Sequence, residues 1–190
     1  VVVACGEPDP RVSGRGFSAL QAAGIAVSEG VLRTEAQRVN RGFLKRHQEG
    51  LPLVTLKMAT TLDARIATST GESQWITGPA ARRYGHLLRA THDAIMVGKG
   101  TVEADNPSLT CRLPGMPDRS PVRVFVDTNG TVSGGLHLLT GGEPPVWRIA
   151  AKTAAQLANV ETISVSLDAA GRLDLEEAPV SYTHLTLPTT

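Results

Sequence analysis

The chain has 190 residues, with 19 Lys and Arg against 18 Asp and Glu for a formal net charge of +1. No basic cluster stands out that would track a nucleic-acid backbone, and the apolar runs are of strand length, too short to span a bilayer. Its two cysteines, Cys5 and Cys111, give neither a disulfide framework nor a CxxC pair, and no leader-type stretch occurs, so a cytoplasmic setting is expected.

Val1 to Cys5 reads as a strand already under way at the first residue, so the amino end reads as cut. A Gly/Pro-rich loop follows, then a short helix over Phe17–Ala23 closed by Gly24. Ile25–Val27 reads as a strand. Thr34 with Gln37 three residues on predicts a capping box. Ala36, Val39, Phe43 and Leu44 then share one helical face, and Gly50 and Pro52 stop the helix. The expected domain junction is Gly50-Leu51-Pro52.

Beyond it, Leu53–Met58 reads as a strand, Thr60–Ala64 as a turn around Asp63, and Ile66–Thr68 as a short strand. A polar loop, Gly71 to Pro79, holds one of the two tryptophans, Trp75. Pro79 suits the first turn of a helix whose buried face is expected to be Ala81, Tyr84, Leu87 and Leu88. Strands are expected at Ala94–Val97, Val122–Val126, Val146–Ala150 and Val160–Val165, with a turn at Asp127-Thr128-Asn129-Gly130. Strands alternating with helices argue an α/β fold on a mostly parallel sheet. The last residues turn abruptly Thr-rich and resemble an in-frame translation of a transposon-type sequencing adapter. Residues 179–190, with Tyr182 and His184, are therefore read as non-native.

In open α/β sheets ligands bind beyond the carboxyl ends of the strands. Three segments there carry the unusual residues: the one after Leu56-Lys57-Met58, Gly98 through Pro107, and Asp127 to Gly130. Gly98 and Gly100 allow close backbone approach, and Thr101 could open a short helix; a purely structural tight turn explains the glycines equally well. A P-loop is excluded because Gly100, not a hydroxyl residue, follows Lys99, and no GxGxxG occurs at a strand–helix turn. Asn106 before Pro107 is pushed out of helix, which places Asp105 at a helix end, free to accept hydrogen bonds or merely to cap. Ser108 to Arg112 alternates like an edge strand, with Ser108, Thr110 and Arg112 on one side. Arg89 and Arg112 converging with Ser73 on a phosphate would be a specific arrangement, although a solvated arginine late in a helix is the bland alternative. The histidines and cysteines show no ligand spacing, so no metal site is expected in this chain, and no GxSxG elbow is present.

The linked string LKMATTLDARIATSTGESQWITGPAARRYGHLLRATHDAIMVGKGTVEADNPSLTCR resembles the start of the reductase domain in the bifunctional riboflavin-biosynthesis deaminase–reductase family. The preceding DPRVSGRGFSALQAAGIAVSEGVLRTEAQRVNRGFLKRHQEG resembles the end of that family's deaminase domain and its bridge to the reductase. The resemblance runs from about Val1 to Val126 and fades past Gly130. It implies the end of a cytidine-deaminase-like domain (1–50) followed by a truncated dihydrofolate-reductase-like domain (51–178).

It also implies an enzyme that reduces a phosphoribosylamino pyrimidine with NADPH, the open-chain sugar C1 accepting the hydride. By position, Ala59, Trp75, Thr101, Asp105 and Thr128 match cofactor contacts of the family, and Ser73, Arg89, Leu109 and Arg112 match its substrate contacts. Lys57 is the candidate for proton delivery, and Asp105 is carried as a second catalytic candidate. Trp75 would wall the cofactor site, with core packing the structural alternative. The zinc ligands of the family's deaminase half and the reductase half's later glycine-rich segment have no counterpart here, so the chain alone is expected to turn over little or nothing. A homodimer is implied for the intact parent. The alternatives are a non-catalytic nucleotide-binding module of the same fold, or a dihydrofolate-type reductase acting on another pterin or pyrimidine.

Overall fold

The two short apolar stretches near the amino end pair with each other: β1 (Val2–Val3) and β2 (Ser28–Glu29) run parallel, Val2 opposite Ser28 and Val3 opposite Glu29. They belong to a computed structural model that describes residues 1–9, 11–116, 118–140, 142 and 144–174. The adapter-like tail lies outside the described residues. The chain divides into two units, the first Val1–Thr55 and the second beginning at Leu56.

In the first unit α1 (Arg15–Ala22) ends as expected, with Gly24 at φ 72. The strand expected at Ile25–Val27 forms later instead. Ser28 N–H bonds the Val1 carbonyl and Gly30 N–H bonds that of Val3, so pairing starts only at Ser28. The capping box is not made. Helix α2 (Arg33–Val39) begins one residue before Thr34, after Leu32 in a left-handed conformation, and no side chain caps it. The single helix expected here is broken at Asn40, whose Nδ2 donates to the Ala36 carbonyl at 2.9 Å; α3 (Arg41–Glu49) follows. That break spoils the expected apolar face, leaving Val39 84% exposed and Phe43 in part exposed. Gly50, at φ 70, ends α3 as its position suggested.

In the second unit the turn around Asp63 is present: Thr61 N–H bonds Arg65 O, and Ala64 N–H bonds Thr61 O. The strands expected at Leu53–Met58 and Ile66–Thr68 are not formed. A strand forms only where a neighbouring strand completes a ladder, and among the described residues neither stretch joins a sheet. Helix α4 (Pro79–Ala90) starts with Pro79 in its first turn. Its expected buried face is wrong, because Ala81, Tyr84 and Leu87 are exposed. The covered positions on this helix include Gly85, His86, Leu88 and Arg89.

The remaining strands form one parallel sheet in sequence order: β3 (Ala94–Gly98), β4 (Val122–Val126), β5 (Val146–Ala151) and β6 (Glu161–Val165). Central strands of a parallel sheet are covered on both faces, and β4 and β5 are accordingly the most buried. Between β3 and β4, α5 (Lys99–Asp105) buries Val102 against Leu109, Phe125, Val132, Leu138 and Val160; Leu138 comes from α6 (His137–Thr140). Two arginines inside the apolar strands, Arg123 and Arg148, are each 1% exposed and donate mainly to backbone carbonyls. The edge strand expected at Ser108–Arg112 is irregular instead. Leu109 takes φ 57 and turns into the core, which breaks the alternation that put Ser108, Thr110 and Arg112 on one side.

Candidate functional site

The expected site residues fall into groups, and the sheet explains why. Thr101 and Thr128 lie just past the carboxyl ends of the neighbouring strands β3 and β4. Gly98-Lys99-Gly100-Thr101 is not a glycine turn. Gly98 is extended and caps α5, and Gly100 is helical. Thr101 is exposed on this helix, beside fully buried Val102.

The Asp127 turn forms as expected, with Gly130 N–H bonded to Asp127 O at 3.1 Å and Gly130 at φ 66. Asp127 is fully buried, and its carboxylate accepts the backbone N–H groups of Thr131 (3.1 Å) and Val132 (2.9 Å). That carboxylate is spent on the turn. Lys99 links the two strand ends by donating to Thr131 Oγ1 at 2.5 Å, and its ammonium lies 3.5 Å from Glu103. Asp105 is exposed at the last turn of α5, and Asn106 leaves the helix at φ 41, its Oδ1 accepting His137 N–H at 2.7 Å. The reading of Asn106-Pro107 as a helix stop holds.

A second group gathers around the end of α4, in the segment that feeds the amino end of β3. Arg89 donates from Nη1 to the Thr110 carbonyl at 2.9 Å, which ties α4 to the segment carrying Arg112. Among the described residues no carboxylate lies within ion-pairing distance of Arg89 or Arg112. The acidic partners of other arginines, such as Asp9 for Arg11 and Asp168 for Arg172, are made within the same local turn. Burial, and then the positive charge of Arg112, lowers the pKa of Arg89, while Cys111 acts the other way. Leu109 between them is 5% exposed and committed to the core, leaving its backbone as the part that could meet a ligand. Next to this corner a cavity of about 400 Å³ is lined by Ser108, Thr110, Arg123, His137 and Thr140, none of them among the cofactor or substrate contacts expected from the sequence.

The third group is the stretch before α4. Lys57 is exposed and Ala59 partly covered, on backbone without regular structure. Ser73 is exposed in the same loop as Trp75. Trp75 is 71% exposed, so the core alternative is ruled out. One face of its ring lies 4.4 Å from the Arg82 guanidinium carbon, and Arg82 Nη1 also donates to the Thr77 carbonyl at 2.7 Å. Arg82 thus fastens the loop to α4 and leaves the other ring face open. Sequence reasoning missed Arg82. It also passed over His86, one of the histidines without ligand spacing, although the i, i+3 spacing from His86 to Arg89 on a helix signals proximity. Among the described residues no group of three His, Cys, Asp or Glu could hold a metal ion, and no helix is long and apolar enough to cross a membrane.

Comparison with known proteins gives a consistent picture. A family model described as the RibD C-terminal domain matches residues 52–178. The riboflavin biosynthesis protein RibD of Bacillus amyloliquefaciens is 49% identical over 147 residues, 77% of this chain and 39% of that protein. That of Escherichia coli K12 is 43% identical over 144 residues, 70% of this chain and 39% of its own length. The crystal structure of a diaminohydroxyphosphoribosylaminopyrimidine deaminase/5-amino-6-(5-phosphoribosylamino)uracil reductase from Thermotoga maritima superposes with a TM-score of 0.82 at 35% identity. It covers 96% of this chain and 50% of its own. The chain thus spans about two fifths of the curated relatives it matches.

Proposed function

The chain belongs to the RibD C-terminal domain family, a reductase domain of riboflavin biosynthesis, and we propose that it acts within a longer protein to reduce 5-amino-6-(5-phosphoribosylamino)uracil to the ribitylamino product with NADPH. The observation that carries this reading is the Arg89–Arg112 corner. Two guanidinium groups without a carboxylate partner, one of them largely withdrawn from water, suit a phosphate monoester.

The carboxyl edge of the sheet supports the cofactor assignment. It offers the hydroxyls of Thr101 and Thr128 and the ammonium of Lys99, while Asp127, the carboxylate next to Thr128, is engaged by backbone N–H groups. A free carboxylate there would favour a ribose diol; its withdrawal favours a cofactor bearing a 2′-phosphate. NADPH when bound supplies a hydride. The chain's own residues do the rest: Arg89 and Arg112 hold the phosphate end, Ser73 and the Leu109 backbone orient the pyrimidine, and Trp75 presents its open ring face to the cofactor. Lys57 would hold a proton for the sugar oxygen freed as C1 is reduced, with Asp105 as the second catalytic candidate.

Residues 1–50 fit the end of a cytidine-deaminase-like domain with its bridging helix. In support, the Thermotoga structure covers 96% of this chain, whereas the family model begins at residue 52. The parent on this reading is a cytoplasmic homodimer whose deaminase half holds zinc on residues this chain does not contain.

The test is a turnover assay with the longer protein that includes this segment. NADPH should be consumed and the pyrimidine should gain two hydrogens in mass, with the Lys57→Ala variant losing turnover while retaining the cofactor. The 190-residue chain alone should bind NADPH with little or no turnover. Failure of the longer protein to consume NADPH with this pyrimidine overturns the reading.

A further inference from the structure

The arginine corner contains a third group that phosphate recognition by itself leaves without a task. His86 precedes Arg89 by three residues on α4, so the two share a helix face. Its Nδ1 accepts the backbone N–H of Arg112 at 3.2 Å and stands 3.5 Å from Arg89 Nη1. Its carbonyl accepts the Cys111 Sγ–H at 3.6 Å. A backbone N–H and a guanidinium N–H can only donate, so Nδ1 must be bare and the ring proton sits on Nε2. One residue therefore grips two successive positions of the arginine-bearing segment, Cys111 through its carbonyl and Arg112 through its ring.

We propose that His86 is a positioning residue for the phosphate subsite: as a neutral imidazole it holds the Arg112 segment so that both guanidinium groups meet one phosphate, and protonation at Nδ1 lets that segment go. The inference rests on the assignment of Arg89 and Arg112 to the substrate phosphate.

The surroundings favour the neutral ring. Burial foremost, then the charges of Arg89 and Arg112, push its pKa below the ordinary 6.5, with a Thr110 backbone contact opposing. The ionisable groups facing it are Arg89 from α4 and Arg112 and Cys111 from the following segment. A histidine whose folded pKa is depressed contributes stability above its unfolded value of about 6.5, and that stability is lost as pH falls through the lower folded value. Acid should thus loosen the corner.

Ribose 5-phosphate binding to the 190-residue chain, followed by NMR titration, tests this directly. His86→Ala should weaken binding about ten-fold at neutral pH, the effect of one lost positioning hydrogen bond. His86→Asn, whose Oδ1 takes the place of Nδ1, should stay within about three-fold. Between about pH 7.5 and about pH 5.5 the unmodified chain should lose more affinity than His86→Asn. The loss they share reports the phosphate's own protonation near pH 6.

If His86→Ala binds as the unmodified chain does while Arg112→Ala does not bind, the positioning role is overturned and the phosphate assignment stands. If Arg89→Ala and Arg112→Ala also bind normally, or the unmodified chain does not bind, the phosphate assignment itself fails. Should His86→Ala not fold, the comparison of pH slopes decides, and equal slopes in the unmodified chain and His86→Asn overturn the proposal.

Discussion

Trp147 lies in β5 between Val124 and Glu161 and is 7% exposed, whereas Trp75 lies in a loop with one ring face over Arg82 and is 71% exposed. The same side chain has opposite fates because its neighbours differ. Around Trp147, strands hydrogen-bond on both sides. In the loop-rich stretch before Trp75, Ile66–Thr68 reads as a strand but joins no ladder among the described residues, and Leu56, Met58 and Ile66 stand in solvent. Apolar alternation is a request for a partner, and burial follows only where the partner is present.

The largest expected effect separates the two regions by truncation. Phe125 is fully buried in the core cluster, and Phe125→Ala should cost about 3–5 kcal/mol, read from the midpoint of a denaturant titration. Leu56 is 81% exposed, and Leu56→Ala should change stability by less than about 0.5 kcal/mol. A loss above about 2 kcal/mol at Leu56 would break the comparison, since only a packed side chain costs that much.

A smaller effect sharpens it at the backbone. Gly130 and Gly71 both have positive φ, 66 and 86, so alanine is strained at either. At Gly130 an added Cβ would also lie 2.9 Å from Ala154 Cβ and 3.3 Å from Ala155 N, whereas at Gly71 nothing lies within 4 Å. Gly71→Ala should therefore cost about 1 kcal/mol, the left-handed penalty alone, and Gly130→Ala about 2–3 kcal/mol. Equal losses would mean that the Asp127 turn gives way as readily as the exposed loop.

These contrasts also mark what the sequence made legible. The four strands of the sheet, the helix begun by Pro79 and the stops at Gly24, Gly50 and Asn106 follow from local chemistry, and local chemistry can be read from residue order. The expected strand at Leu53–Met58 and the buried face of α4 were misjudged because both depend on what packs against them, which a single segment does not encode. The Thr34 capping box failed for a local reason, a left-handed Leu32 that starts the helix one residue early. Of the site, the arginines could be named by type and order. Their link through Thr110 and His86 runs between residues 21 to 26 positions apart and is visible only in the folded chain.

The smallest effect concerns Trp75 and asks whether its exposure serves a ligand. A guanidinium over an exposed indole contributes about 0.5–1 kcal/mol, so Arg82→Ala should barely move the unfolding midpoint while altering Trp75 emission. With only two tryptophans, a soluble quencher should find one accessible ring and one shielded ring, and Trp75→Phe should abolish the accessible component. Adding NADPH to the unmodified chain should then protect that component, because the open face is the one offered to the cofactor. If the cofactor binds and Trp75 stays fully quenchable, the ring belongs to the loop's attachment on α4 rather than to the cofactor site, and the contrast with Trp147 is one of packing alone.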